Sequence, residues 1–369
     1  MSFIQDQVTH SVKGLVRIAL WCYFKEIRVK GYSSQLKNGA TIFMGNHQNA
    51  LLDALLVATT TRRKTTFLTR SDVFKNPLLG SFLRYIGMLP IYRFRDGLDT
   101  KLMNEPIFKK CGTVLDNQEA LLIFPEGNHG LKRTVRPIKK GFISILLSRW
   151  ALDTQPVNLA PIGLNYINLV QFPDRVSVVY GTELEVQAFD QTSKQTKALL
   201  DKVHASLAKL TTHIPEQYEA HYNQINAILE NQADVLLDPK KSNSLVSKAI
   251  SLWPLNVGEM KTTPLEAIPN TAKENATQKA RKRYTKGGRL IFIGLNIVPI
   301  LLWRVWLKPT IRQAEFISTA RFGFSLIFFP LYFLAIFSVL LMGLNHIGMA
   351  LAIPMFHFIL NIVFVKKIL

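Results

Sequence analysis

Cysteine is scarce: the chain of 369 residues holds two, Cys22 and Cys111. Two thiols build no disulfide framework, which fits a reducing compartment. Among the eight histidines no pair stands at zinc-ligand spacing within a Cys/His cluster, so no metal site and no bound cofactor are expected. Acid is scarce too, with 25 Asp and Glu against 45 Lys and Arg, a net charge of +20. Such an excess seeks an anionic partner, nucleic acid or anionic lipid. No helix-turn-helix, zinc-finger or RNA-binding signature is present, so the expected partner is an anionic phospholipid membrane and not nucleic acid. Charged residues interrupt the first apolar stretch, and no cleavable signal peptide is expected.

Charge of either sign then vanishes near the end of the chain. Phe322 to Val365, 44 residues, contain no Asp, Glu, Lys or Arg. At ~1.5 Å per residue they make about 66 Å of helix, enough to cross a hydrocarbon core of ~30 Å twice. Gly343-Leu344-Asn345-His346 supplies a turn, so a transmembrane hairpin is expected over 322–365. Leu290 to Trp303 is a shorter uncharged run of 14 residues with Pro299 inside it. Were it to span, the basic residues of 281–289 and those from Arg304 to Arg321 would face opposite sides, against the positive-inside tendency. A re-entrant or interfacial segment is preferred over a spanning one. Either way the rest of the chain faces the cytoplasm.

The remaining organisation follows from periodicity. In residues 1–28, Val8, Val12, Leu15, Val16, Ala19, Leu20, Tyr23 and Phe24 recur at helical spacing, while Lys13, Arg17 and Lys25 fall elsewhere. This reads as an amphipathic helix on the bilayer surface, or one packed on the soluble domain. Residues 29–189 carry short apolar strands. Residues 190–253 are helical and polar, with a stripe of Leu199, Leu200, Val203, Leu207 and Leu210 and a second helix over Gln217–Leu237. Residues 254–289, rich in Pro and ending in a basic run, read as a linker, and 290–369 as the membrane region.

Chemistry gathers at the ends of the strands. Ala40–Met44 is a short apolar strand between Gly39 and Gly45, followed by Asn46-His47-Gln48-Asn49-Ala50-Leu51-Leu52-Asp53. Asn46 can cap a helix over Gln48–Thr60. His47 at a strand-to-helix corner sits where α/β proteins collect catalytic groups, and Asp53 can fold back to fix its tautomer. Six positions along a helix turn through about 600°, so the two side chains meet only if His47 precedes the helix proper. A second strand, Ala120–Ile123, leads into Phe124-Pro125-Glu126-Gly127-Asn128-His129-Gly130. Five cations follow within nine residues: Lys132, Arg133, Arg136, Lys139 and Lys140. Cations beside a glycine-rich turn suit a phosphate. Gly87–Arg93 and Val157–Gly163 are further strands, the first ending in an Arg able to fork onto phosphate oxygens.

In this order and spacing the four segments resemble the glycerolipid acyltransferase superfamily, over roughly residues 25 to 185. That family carries Asn-His, a short spacer and Asp. It then carries Pro-x-x-Arg (here Pro90 to Arg93), Phe-Pro-Glu-Gly-Thr-Arg-Ser, and a Pro-containing strand. Two departures stand out: the spacer is five residues rather than four, and Asn128-His129-Gly130 replace Thr-Arg-Ser. The resemblance implies an α/β fold, a mixed sheet flanked by helices, with the helical accessory region and C-terminal membrane helices added. It implies His47 as general base and Asp53 as its orienting partner. Asn46, Arg93, Glu126, Gly127, His129, Arg133, Arg136 and Lys139 would bind substrate, and amides near the first motif would stabilise the oxyanion. The co-substrate would be an acyl-CoA or acyl carrier protein thioester. The acceptor would be glycerol-3-phosphate or its 1-acyl form. A lysophospholipid or lyso-amino-lipid acceptor, transacylation, and a non-catalytic lipid-binding protein are the alternatives.

Overall fold

The computed structural model describes residues 3–32, 38–93, 99–190, 192–251, 276–344 and 346–369. They divide into two compact units, one of residues 1–17, 28–165 and 177–251, the other of 18–27, 166–176 and 252–369.

The first unit is built on a sheet of β1 (Glu26–Lys30), β2 (Thr41–Gly45), β3 (Thr65–Arg70), β4 (Met88–Ile91), β5 (Ala120–Ile123), β6 (Val157–Tyr166), β7 (Arg175–Tyr180) and β8 (Leu184–Val186), in the order β1-β7-β6-β2-β5-β3-β4 with β8 beside β6. The sheet is mixed, as expected. β6, β2, β5, β3 and β4 run parallel, whereas β8 pairs antiparallel to β6. Every residue of β2 is buried, and so is every residue of β5. They read as unbroken apolar runs because central parallel strands are covered on both faces. Ile42, Met44, Leu121, Ile123 and Leu159 share one core with Cys111 and Leu115 of α4 (Thr100–Asp116) and with Phe142 and Leu146 of α5 (Gly141–Trp150). Because the strands are parallel, the loops after β2, β4 and β5 leave from one rim of the sheet.

Three helices modify the expectations. α1 (Phe3–Tyr23) turns two of its cations inward. Lys13 Nζ donates to the Thr61 carbonyl (2.7 Å) and Arg17 to the Thr59 carbonyl (2.6 Å), at the carboxyl end of α2 (Ala50–Thr60), where the helix dipole favours positive charge. Leu15 is left 67% exposed. α3 (Pro77–Tyr85) likewise exposes Leu78, Phe82 and Tyr85 along one stripe. The accessory region forms α6 (Ser193–Leu210), α7 (Tyr222–Glu230) and α8 (Pro239–Ile250). The single helix expected over Gln217–Leu237 is broken, with α7 flanked by short 3-10 turns at Glu216–His221 and Ala233–Leu237.

In the second unit, α9 (Ala276–Leu295) corrects the linker reading of 254–289: its last part is helical, and residues 252–275 lie outside the described residues. Between α9 and α10 (Ile297–Leu301) the axis bends by 94° at Asn296. Pro299 has no amide hydrogen to give the Leu295 carbonyl four residues back, while the Asn296 side chain donates to the Phe292 carbonyl (2.9 Å) at the bend. Two helices are long and apolar enough to cross a membrane, spanning Ala314–Leu344 and Ile347–Ile368; the helical cores are α11 (Ile317–Leu344) and α12 (Ile347–Val363). The buried amides of Asn296 and Asn361 exchange two hydrogen bonds, at 2.7 and 3.0 Å, and the Tyr332 hydroxyl donates to the Leu295 carbonyl (2.9 Å). Freed backbone and side-chain polar groups among apolar helices are thus paired, as hydrocarbon surroundings demand. A pair bent by 94° has the form of a broken span or of a re-entrant loop.

Candidate active site

β2 delivers His47 two residues beyond its last member, Gly45. Asn49 (φ −128°, ψ 41°) and Ala50 (φ 45°) then turn the chain before α2 starts. His47 therefore stands outside the helix while Asp53 sits in its first turn, which removes the 120° offset that a continuous helix would impose. Asp53, wholly buried, accepts three hydrogen bonds on Oδ2: from His47 Nδ1 (2.8 Å) and from the amides of Gln48 (2.8 Å) and Asn49 (2.7 Å). An oxygen already accepting two N–H groups takes a third donor, so Nδ1 carries the ring proton and Nε2 is bare. The same bonds satisfy amides at the amino end of α2, where Asn49 makes no side-chain cap.

Packing fixes the ring itself. His47 stacks on Phe124 with centroids 4.1 Å apart and planes 11° from parallel, and the His129 ring meets it edge-on at 5.5 Å. Gly45 is required by this stack, since a Cβ there would stand 2.8 Å from the Phe124 ring. The imidazole stays 17% exposed.

The loop after β5 clamps the His47 main chain. Glu126 accepts from the His47 amide on Oε1 (3.0 Å), and from Arg136 Nε (2.6 Å) and the Arg136 amide (3.3 Å) on Oε2. The His47 carbonyl accepts from the Gly130 amide (3.1 Å) and from Arg136 Nη2 (3.2 Å), which also donates to the Asn128 carbonyl. Gly127 makes the turn with φ +77°, a conformation side chains resist. The amides of His47, Gln48 and Asn49 are all committed to carboxylates, so the oxyanion donors expected at the first motif are not these three.

Several expected substrate contacts are engaged otherwise. Asn46 does not cap α2: its side-chain amide donates to the Leu164 carbonyl (3.1 Å) and accepts the Leu164 amide (2.7 Å), tying the end of β2 to β6. Arg133 is buried against α7, its Nε on Asn226 (3.1 Å) and its amide on the Tyr222 hydroxyl (2.8 Å). Lys132 pairs with Glu219. Lys139 and Lys140 are exposed, with the Lys139 amide on the Pro125 carbonyl (2.8 Å). Arg93 follows β4 at the same rim, its approach fixed by Asn104, which exchanges two bonds with the Tyr92 main chain (2.9 and 2.8 Å). Of the five cations after Gly130, three are therefore held by the protein. The structure also shows residues the sequence did not single out: Phe124, Gly45, and His204 and His213 beside the loop. Phe124 lay within the third motif, but its stacking on His47 was not read from the sequence. The two histidines gave no signal. Among the described residues no three His, Cys, Asp or Glu side chains group as a metal site would need.

The family described as Acyltransferase matches residues 26–164, which contain the His47–Asp53 pair and the Glu126 loop. Over those residues the chain is similar to the acyltransferase family. The chain is 24% identical over 173 residues to 1-acyl-sn-glycerol-3-phosphate acyltransferase of Cocos nucifera, covering 43% of this chain and 54% of that one. It is 28% identical over 123 residues to glycerol-3-phosphate O-acyltransferase 2 of Saccharomyces cerevisiae, covering 31% of this chain and 17% of that protein. The chain thus spans about half the length of the plant relative and less of the yeast one. The crystal structure of the 1-acyl-sn-glycerophosphate (LPA) acyltransferase PlsC from Thermotoga maritima aligns with a TM-score of 0.38 at 16% identity, over 56% of this chain and 80% of that one. The matched residues begin with β1 at Glu26 and end within β6.

Proposed function

We propose that this chain is a membrane-bound O-acyltransferase of phospholipid synthesis. It moves a fatty acyl group from a thioester of coenzyme A or acyl carrier protein to the hydroxyl of glycerol-3-phosphate or 1-acylglycerol-3-phosphate. The observation that carries this reading is the 2.8 Å bond between His47 Nδ1 and Asp53, which leaves Nε2 bare on a partly exposed ring. The acceptor oxygen attacks the thioester carbonyl as Nε2 takes its proton. The C–O bond forms; the tetrahedral intermediate collapses, the C–S bond breaks, and the thiolate leaves with the proton held by the ring. Asp53 balances the charge the ring gains, as in a triad whose serine is replaced by the substrate's own alcohol. Arg93, His129, Lys139 and the Glu126–Gly127 turn border the acceptor. The relatives named for the two acceptors support both. The chain sits in an anionic membrane with this domain toward the cytoplasm, in the inner membrane if the source is bacterial.

A second reading, a lysophospholipid or lyso-amino-lipid acceptor with a zwitterionic head, draws on the commitment of Lys132, Arg133 and Arg136 to protein partners. The test is purified protein in detergent with labelled acyl thioester and a panel of acceptors. Transfer to a phosphorylated glycerol, lowered at least about a hundredfold by His47→Ala, is expected. Equal turnover in the variant removes His47 from the mechanism, and transfer to zwitterionic lysolipids alone selects the second reading.

A further inference from the structure

Residues 132–135, between the glycine turn and Arg136, are held at each position by the accessory region, helices and loop together, which lies outside the family-matched residues. Lys132 meets Glu219. Arg133 bonds Tyr222 and Asn226, and its carbonyl accepts the Ile214 amide (2.7 Å). The Thr134 hydroxyl donates to the Ile214 carbonyl (2.8 Å). At Val135 the amide and the carbonyl, which belong to successive peptides, are both taken by imidazoles: the amide donates to His213 Nδ1 (3.0 Å), and the carbonyl accepts from His204 Nε2 (3.0 Å). The two rings meet edge-on at 5.7 Å. The Val135 carbonyl shares its peptide with the amide of Arg136, whose amide and guanidinium hold Glu126 and the His47 carbonyl. Two histidines, one on α6 and one in the loop after it, are thereby connected through a single peptide and its hydrogen bonds to the main chain of the general base.

We propose that His204 and His213 are positioning residues for acyl transfer: gripping Val135 at its amide and its carbonyl, they set Arg136 and through it Glu126 and His47. The proposal rests on the acyltransferase reading. Because each peptide is planar, a bond to the Val135 carbonyl also orients the Arg136 amide across the same peptide. The Val135 amide needs an acceptor at Nδ1, and the half-buried His213 ring, kept neutral by burial and secondarily by His204, supplies one.

The experiment compares His213→Ala with His213→Asn, whose Oδ1 stands where Nδ1 does, alone and combined with Arg136→Ala. His213→Ala is expected to lower kcat roughly tenfold to a hundredfold, the cost of a misplaced catalytic group, with KM for the acceptor little changed. His213→Asn should restore kcat to within about threefold, and His213→Ala should add nothing to the loss in Arg136→Ala. Hydrogen exchange supplies a readout independent of turnover: the Val135 amide should exchange faster in His213→Ala and at the native rate in His213→Asn. Full kcat in a folded His213→Ala protein, or losses that multiply with Arg136→Ala, overturns the proposal. So does unchanged exchange at Val135. If the wild-type protein transfers acyl groups to no acceptor, the functional reading fails, and exchange at Val135 still judges the grip.

Discussion

Asp53→Asn isolates the contribution of the buried carboxylate. The side chains are isosteric, and the new carbonyl oxygen can still accept from the amides of Gln48 and Asn49, which lie 2.8 and 2.7 Å from Oδ2. That oxygen is also the one His47 Nδ1 meets, at 2.8 Å, so the ring keeps its tautomer and what the variant loses is the negative charge that balances the imidazolium. A fall in kcat of roughly a hundredfold to ten-thousandfold is expected, the range of general-base catalysis, with KM for both substrates within about threefold. The fold should survive, because losing the charge at the α2 amino end costs ~1 kcal/mol and is offset in part by no longer burying it. The assay is initial-rate acyl transfer at saturating acceptor, beside thermal unfolding of the same sample. A variant that keeps kcat within tenfold of wild type, with the fold intact, refutes the assignment of Nε2 as base.

Two further outcomes are expected. Arg93→Ala should raise the acceptor KM roughly tenfold to a hundredfold, the value of a charge-assisted hydrogen bond of ~1.5–3 kcal/mol, with kcat kept; unchanged KM in steady-state kinetics rejects phosphate binding by Arg93. The second outcome concerns pH. Burial, and secondarily His204, pulls the His213 imidazole down from its ordinary value of 6.5 to about 4. Between those values the unfolded chain binds a proton that the folded one does not, so stability is full above pH 6.5 and falls as pH drops toward 4. The urea midpoint should fall over that window, and less so in His213→Asn; equal slopes in both proteins would count against a buried neutral ring.

Four of the strands were legible because parallel strands near the middle of a sheet are short apolar runs, as Thr41–Gly45 and Ala120–Ile123 are. The pairing of His47 with Asp53 was legible as a requirement, that the His precede the helix. The means were not: a left-handed Ala50 carries no sequence mark, since Gly or Asn is the residue that usually announces that conformation. Arg133 and Arg136 looked equivalent as cations near a turn. They differ in their partners: Arg133 goes to α7 and Arg136 to Glu126. The partners of Arg133, 89 and 93 residues away in the chain, could not have been found without the fold.

The inward cations of α1 carry a practical consequence. A helix that spends Lys13 and Arg17 on the carbonyls of a neighbour has no charge left on those positions with which to keep its outer side in water. Leu15 remains outside, and α3 adds Leu78 and Phe82. Cutting away the two long apolar helices would therefore not turn the remainder into a freely soluble enzyme. Purification of any shortened version would still call for micelles, and crystals grown without them would be expected to bury those side chains against one another.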